Sequence, residues 1–484
     1  MPQWKKRGAA LLCACALLLS GCGGQSKGAK TVSLDPKNPV AITVWHYYNG
    51  AQQEAFDQMV QEFNSTEGRE QGIVVSAYSQ GSVNELEANV LDSANKKVGA
   101  AELPNLFAAY ADTAYAVDQL GLAADLAPYF TAEDLGEYID GYIEEGRFSD
   151  DGSLKIFPIA KSTEIFMLNK TDWEEFAAAT GASTGELATI EGVTDIAARY
   201  YEWTDGLTPG VPNDGKAFFG RDALANYMLI GAKQLGCEIF SQKDGKTVLN
   251  FDKTVIRRLW DNYYVPYISG EFAASGRFRS DDVKMGKLIS FVGSSSGATF
   301  FPDAVILDDE NQYPIEVEVL PAPQFEGAQP TAVQQGAGMV VTEGDEAHVY
   351  ASVCFLKWFT DAARNSEFSI QSGYLPVKKS ANEIDFVREN GGMSSELVER
   401  IVSVAIDTVT GNELYTTKAF AKGTDARSVL ENSMSEKAQA DYEAVQQLLA
   451  AGTPRAEAIA AYAADENFDN WYEATKRTLE EMVD

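Results

Sequence analysis

Residues 154–170 constrain this chain more than any other stretch. They read as a strand running into Pro158, a short polar break through Lys161, Ser162 and Thr163, and a second β-rich run closing at Asn169 and Lys170. Proline lacks a backbone donor and holds the preceding Phe157 extended, so a central strand does not pass through it unbroken and the chain changes direction there. Two architectures are compatible with that break: a bent strand inside one α/β domain, or a passage from one lobe to another. With 484 residues, 45% hydrophobic and 23% charged, the chain has material for two or more lobes.

The N-terminus sets the compartment. Lys5, Lys6 and Arg7 precede the apolar run 8–19, which is too short to span a bilayer but suits a signal-peptide core. It ends in Leu19-Ser20-Gly21-Cys22, the pattern of a bacterial lipoprotein cleavage site. Residues 1–21 are therefore expected to be removed and Cys22 to carry lipid. Residues 22–39, polar and rich in Gly, Ser and Lys, read as a flexible tether to the extracellular face of the cell membrane. No later apolar run reaches spanning length, so the expected protein is anchored to a membrane without being embedded in it.

The formal charge of −32 argues against nucleic acid as a partner, since phosphates would be repelled. It suits a soluble, monomeric surface protein. Beyond the signal and Cys22, Cys237 and Cys354 remain, each in an apolar helical pattern. Two buried thiols and one disulfide are both open to such a pair. His46 and His348 stand alone without a ligand-spacing pattern, so no metal is expected. No cofactor is expected either. Asp244-Gly245-Lys246-Thr247 ends like a phosphate-binding loop, but Phe240 stands where its first glycine belongs, and Gly336-Ala337-Gly338 lacks the third glycine of a dinucleotide fingerprint.

The chain then alternates strand and helix. Residues 41–45 form a buried-strand pattern, followed by a helix with Phe56, Met59, Val60 and Phe63 on one face. Residues 72–78 read as a second strand. Ser82 with Glu85 makes a capping box for a helix whose stripe is Leu86, Val90, Ala94 and Val98, and 104–110 reads as a third strand. Thr171 with Glu174 suggests another capping box. Helices are expected over 220–235, stopped by Gly236, and over 253–264 and 346–359, with strands near 284–292, 315–320 and 339–341. The alternation calls for an α/β fold whose ligand crevices lie at the carboxyl ends of the strands, where Trp45, Tyr47, Tyr48, Tyr78 and Tyr110 gather.

In order along the chain, Val44-Trp45-His46 with Gly50, Gly81-Ser82, Leu103-Pro104-Asn105, the Pro158 to Lys170 passage, Gly293 to Gly297, Leu320-Pro321, Gly336 to Gly338, Phe355-Leu356-Lys357-Trp358 and Gly373-Tyr374-Leu375-Pro376 resemble the landmarks of family 1 extracellular solute-binding proteins. These are the maltose and glycerol-3-phosphate type of binding components of ABC importers. The resemblance covers most of the chain beyond the signal. It implies a periplasmic-binding-protein-like fold of two discontinuous α/β lobes joined by a hinge, lobe one being 40–157 with 271–323 and lobe two 158–270 with 324–484. It implies a permease with a separate ATPase as partner, a small solute as ligand, and no catalysis.

By the same resemblance Ser162, Ser296, Gly338 and Tyr374 correspond to ligand-contacting positions, with Trp45, Tyr47 and Tyr110 as aromatic candidates from the strand ends. Hydroxyls and close backbone approaches suit a polyol and rings suit a sugar face. This chain departs from the glycerol-3-phosphate branch at Val83, Ala111, Thr189-Ile190 and Ala421, although Lys418, Lys422 or Arg427 remain available to a phosphate. A mono- or oligosaccharide is the expected ligand. A polyol phosphate such as glycerol-3-phosphate, a secreted carbohydrate-active enzyme and an adhesion or scaffold lipoprotein are the alternatives.

Overall fold

The computed structural model describes residues 28–149, 151–243, 245–393 and 395–483. The expected signal, Cys22 and the beginning of the tether lie outside the described residues. From Gly28 onward the expected tether instead lies along the protein. The Lys30 N–H donates to Pro128 O at 2.8 Å, Lys30 Nζ pairs with Glu346 at 2.7 Å, and Leu34 packs against the first core.

Two four-stranded sheets organise the molecule. In the first, Val40–His46 lies between Ile73–Ser79 and Leu106–Ala109, both parallel to it, and Gly338–Val341 adds antiparallel to the outer edge of Leu106–Ala109. In the second, Glu164–Asn169 lies between Val317–Pro321 and Ser290–Ser294, both antiparallel, and Phe219–Arg221 runs parallel to the latter. Glu164–Asn169 is buried throughout and Val40–His46 is buried from Val44 to His46, because helices cover the sheet faces.

Each sheet has its own core. The helix Gly50–Ser65 buries Phe56, Met59, Val60 and Phe63, as its periodicity predicts, against the helix Glu346–Phe359. Phe63 meets Trp358 edge-on at 5.2 Å. Burial of each such ring contributes about 1.5–3 kcal/mol. The second core is built by Ile190–Gly206, Leu224–Gln234 and the long helix Gly423–Ala450 around Phe166, Leu168, Trp260 and Tyr264.

The passage at Pro158 joins the two. Phe157 still bridges to Met339 beside the first sheet, and Glu164 already begins the second. Between them Lys161 bridges to Leu375 and Ser162 to Gln335, so three chain segments run side by side where the units meet.

Several expectations are corrected. Residues 290–294 and 317–321 pair with Glu164–Asn169, so the stretch 271–323 belongs with the second sheet. The segment that returns to the first sheet is instead the one carrying Gly338–Val341 and the helix Glu346–Phe359. The expected helix over 220–235 begins as the strand Phe219–Arg221 and becomes helical only at Leu224. Val98 lies beyond the end of its helix, which closes at Ala94, and is fully exposed. Asn169, not Thr171, caps the helix Lys170–Thr180, accepting from the Asp172 N–H at 3.1 Å. Cys237 and Cys354 are both free thiols, half-buried against different cores. No helix among the described residues is long and apolar enough to cross a membrane.

Candidate functional site

A cavity of about 320 Å³ opens between the two units. On the first side it is lined by the opening turns of two helices that follow strands. Val83, Asn84 and Glu87 come from Val83–Ala94, and Ala111 and Asp112 from Ala111–Gln119, with Tyr110 just before the latter. Parallel strands deliver helix starts to their carboxyl edge, which is why this wall forms there. The predicted capping box fixes the first of these turns. Ser82 Oγ accepts from the Glu85 N–H at 3.3 Å while Glu85 Oε2 accepts from the Ser82 N–H at 2.7 Å.

The opposite wall carries Asn226, Leu229 and Ile230 from the helix Leu224–Gln234, together with Phe240, Tyr415, Thr416, Thr417, Phe420 and Arg427. Gln334 and Gln335 close it from the segments between the units. The cavity thus mixes aromatic rings with hydrogen-bonding side chains from both sides.

Charged groups in this wall are tied back into the interior. Arg427 donates to Asn226 Oδ1, Asn226 Nδ2 donates to Glu164 Oε1 at 2.7 Å, and Arg221 Nη2 donates to Glu164 Oε2 at 2.7 Å. Glu145 is held by the buried Lys161 ammonium and by Gln334 Nε2 at 2.9 Å. Asp112 is less well compensated. Burial lifts its carboxyl to about 6, opposed by the Phe420 N–H and by the positive charge of Arg427. Burial also raises Glu87 above the usual carboxylate range, against a hydrogen bond from Thr113. The Tyr110 phenol is pushed well above its ordinary value by burial and by Tyr374. Gln335 Oε1 is buried with no hydrogen-bond partner among the described residues, so a donor is wanted there.

Among the seven sequence candidates, Tyr110 lines this cavity. Tyr47 and Tyr374 stand behind it, their hydroxyls 3.4 Å apart and both rings nearly buried. Trp45 is 9% exposed and packs in the first core, because both faces of the strand are buried at this end. Gly338 is a strand residue paired with Ala109, and a Cβ there would lie 2.9 Å from Phe157 O; its smallness serves close packing. Ser162 is buried, its Oγ accepting from Ser294 Oγ at 3.2 Å, and Ser294 and Ser296 hydroxyls are 2.9 Å apart. Both serines belong to the junction between the units and do not line the cavity. His46 is fully buried between Tyr48 and Phe56, where loss of hydration lowers its pKa to about 4.

Of the positions singled out for departing from the glycerol-3-phosphate branch, Val83 and Ala111 line the cavity and Thr189, Ile190 and Ala421 do not; Arg427, named as available to a phosphate, lines it too. Glu87, Asp112, Asn226, Gln334, Gln335, Tyr415 and Thr416 were not foreseen. The signal for Asp112 and Glu87 was present, since each lies in the first turns of a helix that follows a strand. Asn226 and Tyr415 gave none, because helical periodicity does not reveal which polar residue meets a distant segment. Among the described residues no cluster of His, Cys, Asp and Glu has metal-binding geometry.

Two α/β units that meet along adjacent chain passages, with a polar and aromatic cavity between them, define a two-lobed solute receptor. Comparison with known proteins agrees. Residues 58–394 match the family of bacterial extracellular solute-binding proteins, and the chain belongs to that family. No curated protein sequence matches it.

Among solved structures, the cyclic alpha-maltosyl-1,6-maltose binding protein from Arthrobacter globiformis shares 18% identity and a TM-score of 0.64, covering 92% of this chain and 99% of that one. The GacH receptor of Streptomyces glaucescens, solved unliganded and with acarbose, shares 17% identity and a TM-score of 0.62 over 91% and 98% of the two chains. UgpB from Mycobacterium tuberculosis, in complex with glycerophosphocholine, shares 17% identity and a TM-score of 0.62 over 92% and 98%. At these identities the likeness is one of fold. The protein is an extracellular solute-binding protein, a receptor class without catalysis.

Proposed function

We propose that this protein captures a neutral carbohydrate, a mono- or short oligosaccharide, and delivers it to the membrane permease of an ABC importer driven by a separate ATPase. Lipidation at Cys22 would hold it at the outer face of the cell membrane. The observation that carries the ligand reading is the cavity itself. Its 320 Å³ lies at the small end of the roughly 300–1,000 Å³ typical of small-molecule pockets, and rings and hydrogen-bonding groups enter it from both lobes. Tyr110, Tyr415 and Phe420 offer faces for a sugar ring. Gln335 Oε1, Asn84 and the carboxylates of Glu87 and Asp112 offer partners for its hydroxyls. A ligand touching both walls binds the closed arrangement better than the open one, so it shifts the population towards closure.

A phosphorylated polyol suits the site less well. Among the described lining residues Arg427 is the cation, and it faces the carboxylates of Glu87, Asp112 and Glu145. The test is thermal unfolding of the chain from residue 23 onward against mono-, di- and oligosaccharides, polyols and glycerol phosphates, with recovery of each compound afterwards. A bound sugar at a hundredfold excess over its dissociation constant adds about 2.7 kcal/mol to stability. A saturable shift from one carbohydrate class, recovered unchanged, supports the reading. No shift from any sugar, or consumption of the compound, refutes it.

A further inference from the structure

The glycine at position 423 draws attention to its neighbour across the cavity. Gly423 is the first residue of the helix Gly423–Ala450, which packs in the second core, whereas Asp112 belongs to the helix Ala111–Gln119 of the first. A Cβ at Gly423 would lie 2.7 Å from Asp112 Oδ2 and closer still to Oδ1. The carboxylate therefore sits directly on the start of this helix, in a place that glycine leaves open.

Three features of the place suit an anion. The Phe420 N–H points at Asp112 Oδ1, at 3.4 Å. The 28-residue helix has Lys422 at its cap position with no side-chain cap bond, so its first N–H groups and the positive end of its dipole lack the usual side-chain partner. Arg427, one turn further on, hydrogen-bonds Asn226 Oδ1 and acts on the same carboxyl only through its charge, which partly offsets the effect of burial. The anion present is the chain's own, brought from the opposite lobe into the wall of the ligand cavity.

We infer that Asp112 is the residue that sets the ligand class: its carboxylate fills the anion position made by the Phe420 N–H, the start of the helix Gly423–Ala450 and Arg427, so that the cavity admits neutral hydroxyl-rich solutes and rejects phosphorylated ones. This rests on the carbohydrate-receptor reading and explains how a cavity containing an arginine and a helix start remains closed to phosphate. Glu87 lines the same wall and adds to the repulsion. At neutral pH Asp112 is ionised, because burial raises it only to about 6.

The experiment is calorimetric titration of wild type, Asp112→Ala, Asp112→Asn and the double variant Asp112→Ala with Arg427→Ala, using inorganic phosphate, glycerol-3-phosphate and the neutral sugar panel as probes. Wild type is expected to bind neither phosphate compound at millimolar concentration. Asp112→Ala should gain at least tenfold in affinity for both, the gain should fall with added salt, and the Arg427 change should abolish it. Asp112→Asn keeps the shape without the charge and serves if the alanine variant does not fold; it should gain in the same direction. Phosphate binding by the wild type, or no gain in whichever variant folds, overturns the inference. Failure of every sugar to bind wild type refutes the carbohydrate reading separately, whatever the anion titrations give.

Discussion

Replacing Lys161 by methionine probes the junction between the lobes at its most charged point. The Lys161 side chain is 0% exposed and that of Glu145 6% exposed. The ammonium donates to the Glu145 carboxylate and to Gly336 O at 2.6 Å, and Gln334 Nε2 donates to Glu145 at 2.9 Å. Methionine keeps most of the apolar stem, so little volume is lost, but it leaves the buried Glu145 carboxyl with Gln334 alone as its side-chain partner. Removing one partner of a buried pair costs about 3–5 kcal/mol, whereas replacing both with apolar groups is often close to neutral. Lys161→Met should therefore lower the urea-unfolding free energy by about 3–5 kcal/mol. The double variant with Glu145→Leu should recover about 2 kcal/mol or more relative to the sum of the single changes. Equilibrium urea unfolding of the four proteins completes the cycle. A Lys161→Met cost below about 1 kcal/mol, or strict additivity in the double variant, would show that the pair is not coupled as its burial requires.

Three further outcomes are expected. His46 is neutral in the folded protein, with its pKa lowered from 6.5 to about 4, so stability is full above pH 6.5 and is lost as pH falls through 4. The loss amounts to about 3 kcal/mol, and His46→Gln should remove that slope from a pH series of urea midpoints. Gly373 ends the helix Ala362–Ser372 at φ 76°, where a Cβ would also lie 2.9 Å from Ser296 O. Gly373→Ala should cost about 1–2 kcal/mol from the backbone alone and more from the contact, read by the same unfolding assay; an unchanged midpoint would mean the turn relaxes freely. Tyr110→Ala should weaken binding of the sugar identified in the thermal panel by about tenfold, close to 1.4 kcal/mol, measured by calorimetry. Equal affinity would remove this ring from the binding surface.

What the sequence alone determined was local. The strand read at 41–45, which runs one residue further at each end, the stripe of Phe56, Met59, Val60 and Phe63, the Ser82–Glu85 box and the break at Pro158 all stand in the structure. Each depends on interactions within a few residues, and side-chain periodicity or backbone chemistry encodes them directly. The landmarks in order were also enough to point to the family. Only the tertiary structure decided which sheet each later strand joined. Ser290–Ser294 and Val317–Pro321 are apolar enough to enter either core, and their partner Glu164–Asn169 lies more than a hundred residues away. The candidate site divides in the same way. Tyr110 was legible as a ring at a strand end, while Ser162, Ser296 and Gly338 turned out to pack the junction and the first sheet. Asp112, Asn226, Gln335 and Tyr415 become neighbours only when four separate stretches of chain converge. A pattern of period two or 3.6 tells which face of an element is buried, but not which distant element buries it, and that second choice shaped the cavity.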